Sequence, residues 1–184
     1  MELYLGLISR TSQAVLIAPA PGIDVLEKCF LAALRAPDHR ALQPWRYVVV
    51  QGNGRERLAE VFCASQRHLF PERSEEELQR LRAQPLRAPM LVIAVQVLRL
   101  ESVVPEAEQV LSMGASVQNF LLALHAHGFA AIWRTGAMAV DPGVGTALGL
   151  AASERIAGII YVGTCRTPRV VVLPEVQRFW SSWP

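Results

Sequence analysis

The chain has 184 residues, 18 Lys+Arg against 16 Asp+Glu, and a net charge of +2. Apolar residues make up 52% and charged residues 18%, so a large core can form and wholesale disorder is excluded. No charged block argues for nucleic acid or an anionic membrane as the main partner, and no apolar stretch has the roughly 20 residues of a spanning helix. The start, Met1-Glu2-Leu3-Tyr4, lacks a basic region and a long apolar stretch, so no signal peptide is expected. Glu2–Ser9 reads as a short apolar turn or helix. Ala18-Pro19-Ala20-Pro21-Gly22 then interrupts the chain. Asp24, with Glu27 three residues on, is expected to cap a helix over Val25–Arg35 that stops at Ala36-Pro37-Asp38. Tyr47–Val50 is a β-rich run closed by Gly52-Asn53-Gly54. Arg55–Ser65 carries Leu58, Val61 and Phe62 at helical spacing. Ser74-Glu75-Glu76-Glu77 opens another helix, with a serine cap and acids in its first turn.

Pro89–Leu98 is an apolar run that predicts a strand buried on both faces. Pro105–His127 is the longest helical stretch. Small and apolar residues run nearly all round it, which predicts a helix buried at the centre, ended by Gly128. Phe129–Trp133 and Ile156–Thr164 read as strands, and Pro142–Leu148 as a short helix. The tail, Val170–Pro184, opens on a β-branched run and finishes Phe179-Trp180-Ser181-Ser182-Trp183, which suits packing on a partner chain. With no repeat or linker, residues 1–184 read as one domain of the α+β class.

Every basic residue except Lys28 is Arg, through codon preference or because rigid guanidinium forks suit anions. Three segments are dense in chemistry. Ser9-Arg10-Thr11-Ser12 sets a guanidinium among hydroxyls, fit for a phosphate or for an ordinary helix end. Arg35–Arg46 packs three arginines, His39, two prolines and Trp45 into a loop between helix and strand, where binding groups concentrate. Gly128–Gly136 feeds a short strand into Trp133-Arg134-Thr135-Gly136, either a ligand-facing turn or a buried strand with a capping indole. Other patterns carry less. His125 and His127 face apart on a helix, so no metal site is expected. Gly143-Val144-Gly145 follows Asp141-Pro142 rather than a strand and is no dinucleotide loop. Cys29, Cys63 and Cys165 are widely spaced and odd in number. They make neither a zinc site nor a disulfide framework, and fit a reducing cytoplasm.

Taken in register, the three segments resemble the bacterial nitroreductase family, in particular its compact NAD(P)H nitroreductases. The matching residues are Arg10-Thr11-Ser12, then Arg35-Ala36-Pro37 with Asp38-His39-Arg40 and Gln43-Pro44-Trp45-Arg46, then Gly128 with Trp133-Arg134-Thr135-Gly136. The resemblance covers essentially the whole chain. It implies a nitroreductase-like fold, with a mixed central sheet packed by helices around a long buried helix. It also implies a homodimer that exchanges its tails and holds one FMN at each of two interface sites. Arg10, Thr11 and Ser12 would then meet the phosphate and ribityl end, and Trp133, Arg134 and Thr135 a second stretch of the flavin. Arg35 and His39 would reach it from the other subunit. Ala123, Leu124, His125, Ala126, His127 and Gly128 would contact NAD(P)H, the co-substrate. The implied activity is hydride transfer from NAD(P)H through FMN to nitroaromatics, quinones or a similar acceptor, in a ping-pong cycle with no protein nucleophile. A flavin-binding or flavin-storing homodimer with little turnover is the alternative. Many members carry a second Arg directly after the first; Thr11 stands there, which implies a thinner cationic set around the phosphate.

Overall fold

A computed structural model describes residues 2–183. Strand β2, Met90–Val97, organises it. Met90, Val92 and Ala94 enter one core, and Leu91, Ile93 and Val95 enter another. A strand with a core on each face has no polar side to show, so its sequence is continuously apolar. β1 (Trp45–Gln51) flanks one edge of β2. β4 (Glu154–Gly163) flanks the other, and β3 (Ala130–Arg134) completes the order β1-β2-β4-β3. Each pairing is antiparallel. The α+β class and the packing of helices around a central sheet hold. Within the described residues, however, the sheet is antiparallel rather than mixed, and the β-branched stretch from Val170 forms no strand and lies exposed.

Helices α2 (Ile23–Ala33) and α5 (Glu106–Ala126) cover one face, around Leu26, Val117, Phe120 and Ile160. Helices α3 (Asn53–Leu69), α4 (Glu75–Arg82) and α6 (Pro142–Ala147) cover the other, around Leu58, Phe62, Ile93 and Tyr161. The capping box of α4 forms as expected between Ser74 and Glu77. α2 begins differently. Its cap is Gly22, with no side-chain bond, and Asp24 falls inside the first turn, where its carboxylate opposes the helix dipole. α3 runs on past Ser65 because Gln66, polar in sequence, is buried and donates to Asp141 Oδ2 at 2.6 Å.

α5 spans about 32 Å at 1.5 Å per residue. Met113, Val117, Phe120 and Leu124 bury its inner face, but Leu111 on the outer face is 73% exposed. Central burial is thus half realised in one chain. The outer face of α5 stays apolar and open, as do Phe179, Trp180 and Trp183 in the tail.

Candidate functional site

The chain after α1 (Leu3–Ser9) runs back across the end of the sheet. Gln13 N–H donates to Ala131 O at 3.1 Å, and Ile17 forms an antiparallel bridge with Thr164. Buried Gln13 also donates its amide to Thr11 Oγ1 at 2.6 Å. These bonds hold Arg10 and Thr11 beside the start of β3. There a cavity of about 220 Å³ is lined by Arg10, Thr11, His125, Gly128, Cys165 and Arg169, among others, and by no carboxylate of the described residues. Two guanidiniums without a counter-charge make an oxyanion receptor. His125 Nε2 lies 2.9 Å from Ser9 Oγ. Burial, and then the neighbouring Arg10 charge, hold its pKa below that of an ordinary imidazole.

At the other end of β3, strand alternation sends Trp133 and Arg134 to opposite faces. The Trp133 indole lies on the α5 side, where Nε1 donates to Ala157 O at 3.2 Å beside Val110 and Met113. Gly158 makes that position available, since a Cβ there would collide with the indole. Arg134 turns the other way, its guanidinium 5.6 Å from the Tyr161 ring centroid. It lines a second cavity, about 390 Å³, with Arg87, Gln84, Thr135 and Tyr161, again without a carboxylate. Arg134 Nε is buried there with no hydrogen-bond partner. Such a group is costly unless a ligand or water meets it. Tyr161 feels both cations, which oppose the upward push of burial on its hydroxyl. From Ala131 at the first cavity to Arg134 at the second, the strand rises about 10 Å.

The Arg35–Arg46 segment divides between surface and core. Trp45 is buried. Arg46 donates through Nε and Nη2 to both Glu154 oxygens at 2.6 and 2.7 Å, and this pair holds the Glu154 carboxyl down to about 2. Arg46 therefore staples β1 to β4 and is spent on the fold. His39 stays at the surface, with Nδ1 2.6 Å from Glu108 Oε2 on α5. Arg40, Ala41 and Gln43 beside it have φ of 62°, 50° and 50°. Side chains avoid that region, so such strain persists only where neighbours hold it, and it clusters at functional loops. Here Asp38 Oδ2 accepts from Gln43 N–H at 2.7 Å, and the Gln96 amide donates to Pro44 O at 3.0 Å.

One chain thus brings together Arg10, Thr11, His125 and Gly128. It sets Arg134 and Thr135 in a second cavity and Trp133 in an apolar groove, and leaves Ser12, Arg35 and His39 exposed. Of the Ala123–Gly128 stretch, Leu124 is buried in the core, Ala123 is half-buried, and Ala126 and His127 are exposed. Two arginines escaped the sequence reading. Arg169 thickens the cationic set that Thr11 seemed to thin, and its signal was the Cys165-Arg166-Thr167-Pro168-Arg169 stretch directly after the last buried strand. Arg87 stands just before β2, in Arg87-Ala88-Pro89.

The model of the Nitroreductase family matches residues 19–164. The chain belongs to the nitroreductase family. It is 36% identical over 158 residues to YdjA of Escherichia coli K12, covering 86% of this chain and 85% of that protein. A Haemophilus influenzae Rd protein is 31% identical over 165 residues, 89% of each chain. The names of both assign them provisionally as NAD(P)H nitroreductases. A nitroreductase-like protein from Bacillus cereus superposes with a TM-score of 0.84 at 21% identity, covering 100% of this chain and 96% of its own. The FMN-dependent nitroreductase NfnB of Mycobacterium smegmatis, solved with NADPH, gives 0.78 at 18% identity, covering 98% and 97%. These likenesses establish the nitroreductase fold. No helix among the described residues is long and apolar enough to cross a membrane.

Proposed function

We propose that residues 1–184 of this nitroreductase-family chain form one FMN-binding domain that moves hydride from NAD(P)H to a nitroaromatic, a quinone or a similar acceptor. The observation that carries this reading is the pair of carboxylate-free arginine cavities at the two ends of β3. FMN has a dianionic phosphate at one end and a hydrogen-bonding pyrimidine edge at the other. Arg10, Arg169 and Thr11 hold the phosphate, with exposed Ser12 beside the ribityl chain. Arg134, Arg87 and Thr135 would hold the pyrimidine edge, and the orphaned Nε of Arg134 would be free to donate to it. Trp133 contributes its strand position next to them.

When bound, FMN supplies the hydride-accepting and hydride-donating chemistry of a ping-pong cycle, so no protein nucleophile is required. The chain's residues position it and stabilise charge. The guanidiniums of Arg134 and Arg87 would stabilise negative charge on a flavin ring held beside them. The provisional names of the relatives and the cofactors in the titles of the solved neighbours support this reading. A homodimer fits it as well. The open apolar face of α5 and the exposed aromatic tail need cover, and Arg35 and His39 lie outside both cavities, exposed and free to serve a second subunit's flavin. Three free cysteines suit a cytoplasmic setting.

The test is steady-state oxidation of NADH and NADPH by FMN-loaded protein with a quinone acceptor. Turnover well above that of free FMN is expected. A loaded protein no faster than free FMN would remove the enzyme reading and favour flavin storage.

A further inference from the structure

The cavity at the start of β3 holds one more basic group. His125, in the last turn of α5, lines it with Arg10 and Arg169, and Ser9 Oγ sits 2.9 Å from its Nε2. A hydroxyl can donate to a neutral ring nitrogen or accept from a protonated one, so this contact survives a change of charge on the ring. The charged and titratable groups facing the ring are few. Arg10 comes from the segment after α1, and Cys165 and Arg169 come from the tail. β3 supplies Ala130 and Ala131, and α5 adds Leu121. Among the described residues no carboxylate lines the cavity to favour the charged imidazole, and burial, then Arg10, disfavour its protonation in the free protein. A phosphate monoester entering the cavity would bring two negative charges against it.

We infer that His125 is a third phosphate-binding group of this cavity, one that takes up a proton as the phosphate binds. The inference rests on the FMN reading and deepens it. A guanidinium does not deprotonate in proteins, so of the three basic groups only the imidazole of His125 ties affinity to proton concentration. Phosphate raises the ring's pKa above its free value. Affinity therefore grows as pH falls through the bound-state value and levels off below the free-state value. The same device favours FMN over riboflavin, which has no phosphate.

The first arm of the test is NMR titration of the His125 ring, its signal assigned by its loss in His125→Gln, with and without inorganic phosphate. A rise of about one pH unit in its midpoint is expected on adding phosphate. An unmoved midpoint would overturn the proposal. The second arm compares FMN and riboflavin affinity at pH 6 and pH 8.5 in the wild type and in His125→Gln, whose amide can still bond Ser9. Because FMN phosphate itself titrates near pH 6, the wild-type-to-variant ratio at each pH is the quantity read. The expected result is an FMN loss of several-fold at pH 6, a much smaller one at pH 8.5, and no change for riboflavin, tenfold being the low-pH limit for one pKa unit of coupling. Equal FMN losses at both pH values, or a matching riboflavin loss, would point to a merely structural role and overturn the proposal. A phosphate-raised midpoint in a protein that binds neither flavin would keep the oxyanion site and sink the FMN reading.

Discussion

At the start of β3 the basic groups come from three places far apart in sequence, Arg10, His125 and Arg169, around a cavity of about 220 Å³. At its end, Arg134 sits above the Tyr161 ring with a buried, unpartnered Nε, and Arg87 joins it from the segment before β2. The first assembly offers several donors of like charge from mobile kinds of side chain and suits a compact dianion. The second offers a flat, fixed edge and suits a planar ring. One ligand spanning both must be long, anionic at one end and aromatic at the other, and must pass the outer edge of β3, because the first cavity adjoins α5 and the second opens on the opposite face, about 10 Å further along the strand. Substitutions at the two ends should then fail in different ways.

Arg10→Ala should show the largest effect. Losing a charge-assisted contact to phosphate costs about 2–3 kcal/mol, or roughly a hundredfold in FMN affinity, while riboflavin binding stays the same. Fluorescence titration with both flavins reads this directly, and equal losses would erase the distinction between the two ends. Arg46→Ala tests the opposite assignment, because this arginine belongs to the same motif as His39 but is bound to Glu154. Denaturant unfolding should show about 2 kcal/mol lost, with FMN affinity per folded chain unchanged. The pH dependence has a definite sign. Folding lowers the Glu154 pKa from 4.5 to about 2, so its contribution is complete above pH 4.5 and disappears as pH falls toward 2. In Arg46→Ala the stability curve between those values should flatten.

Arg87→Ala sharpens the comparison at the ring end. FMN and riboflavin should weaken together, by about fivefold, and NADH oxidation should slow by about tenfold, less than the roughly hundredfold loss of a buried donor because Arg87 is exposed to solvent. A loss confined to FMN would move Arg87 to the phosphate. His39→Ala should give the smallest effect, a few-fold weaker FMN or altered turnover with the fold intact. Unchanged occupancy and kinetics would reduce His39 to a loop residue held by Glu108.

Much of this was legible in the residues. β2 announced itself as an uninterrupted apolar run because it has a core on each side, and Ser74 with Glu77 announced the start of α4. Asp24 misled because the cap signal cannot tell a capping carboxylate from one inside the first turn. α5 looked buried all round because its outer face is apolar, and in one chain that face is open. Arg10 was legible from the hydroxyls around it. Arg169 and Arg87 were not, since each is a lone arginine beside a strand and reaches its cavity only once the sheet is folded. The same holds for the opposite facing of Trp133 and Arg134, which depends on pairing with β4 and on the space left by Gly158.

The most direct test of one flavin lying along β3 is the visible spectrum of the purified, desalted protein, followed by release and identification of the chromophore. A flavin spectrum with about one FMN per chain is the expected result. A colourless protein that also fails to take up added FMN would contradict it.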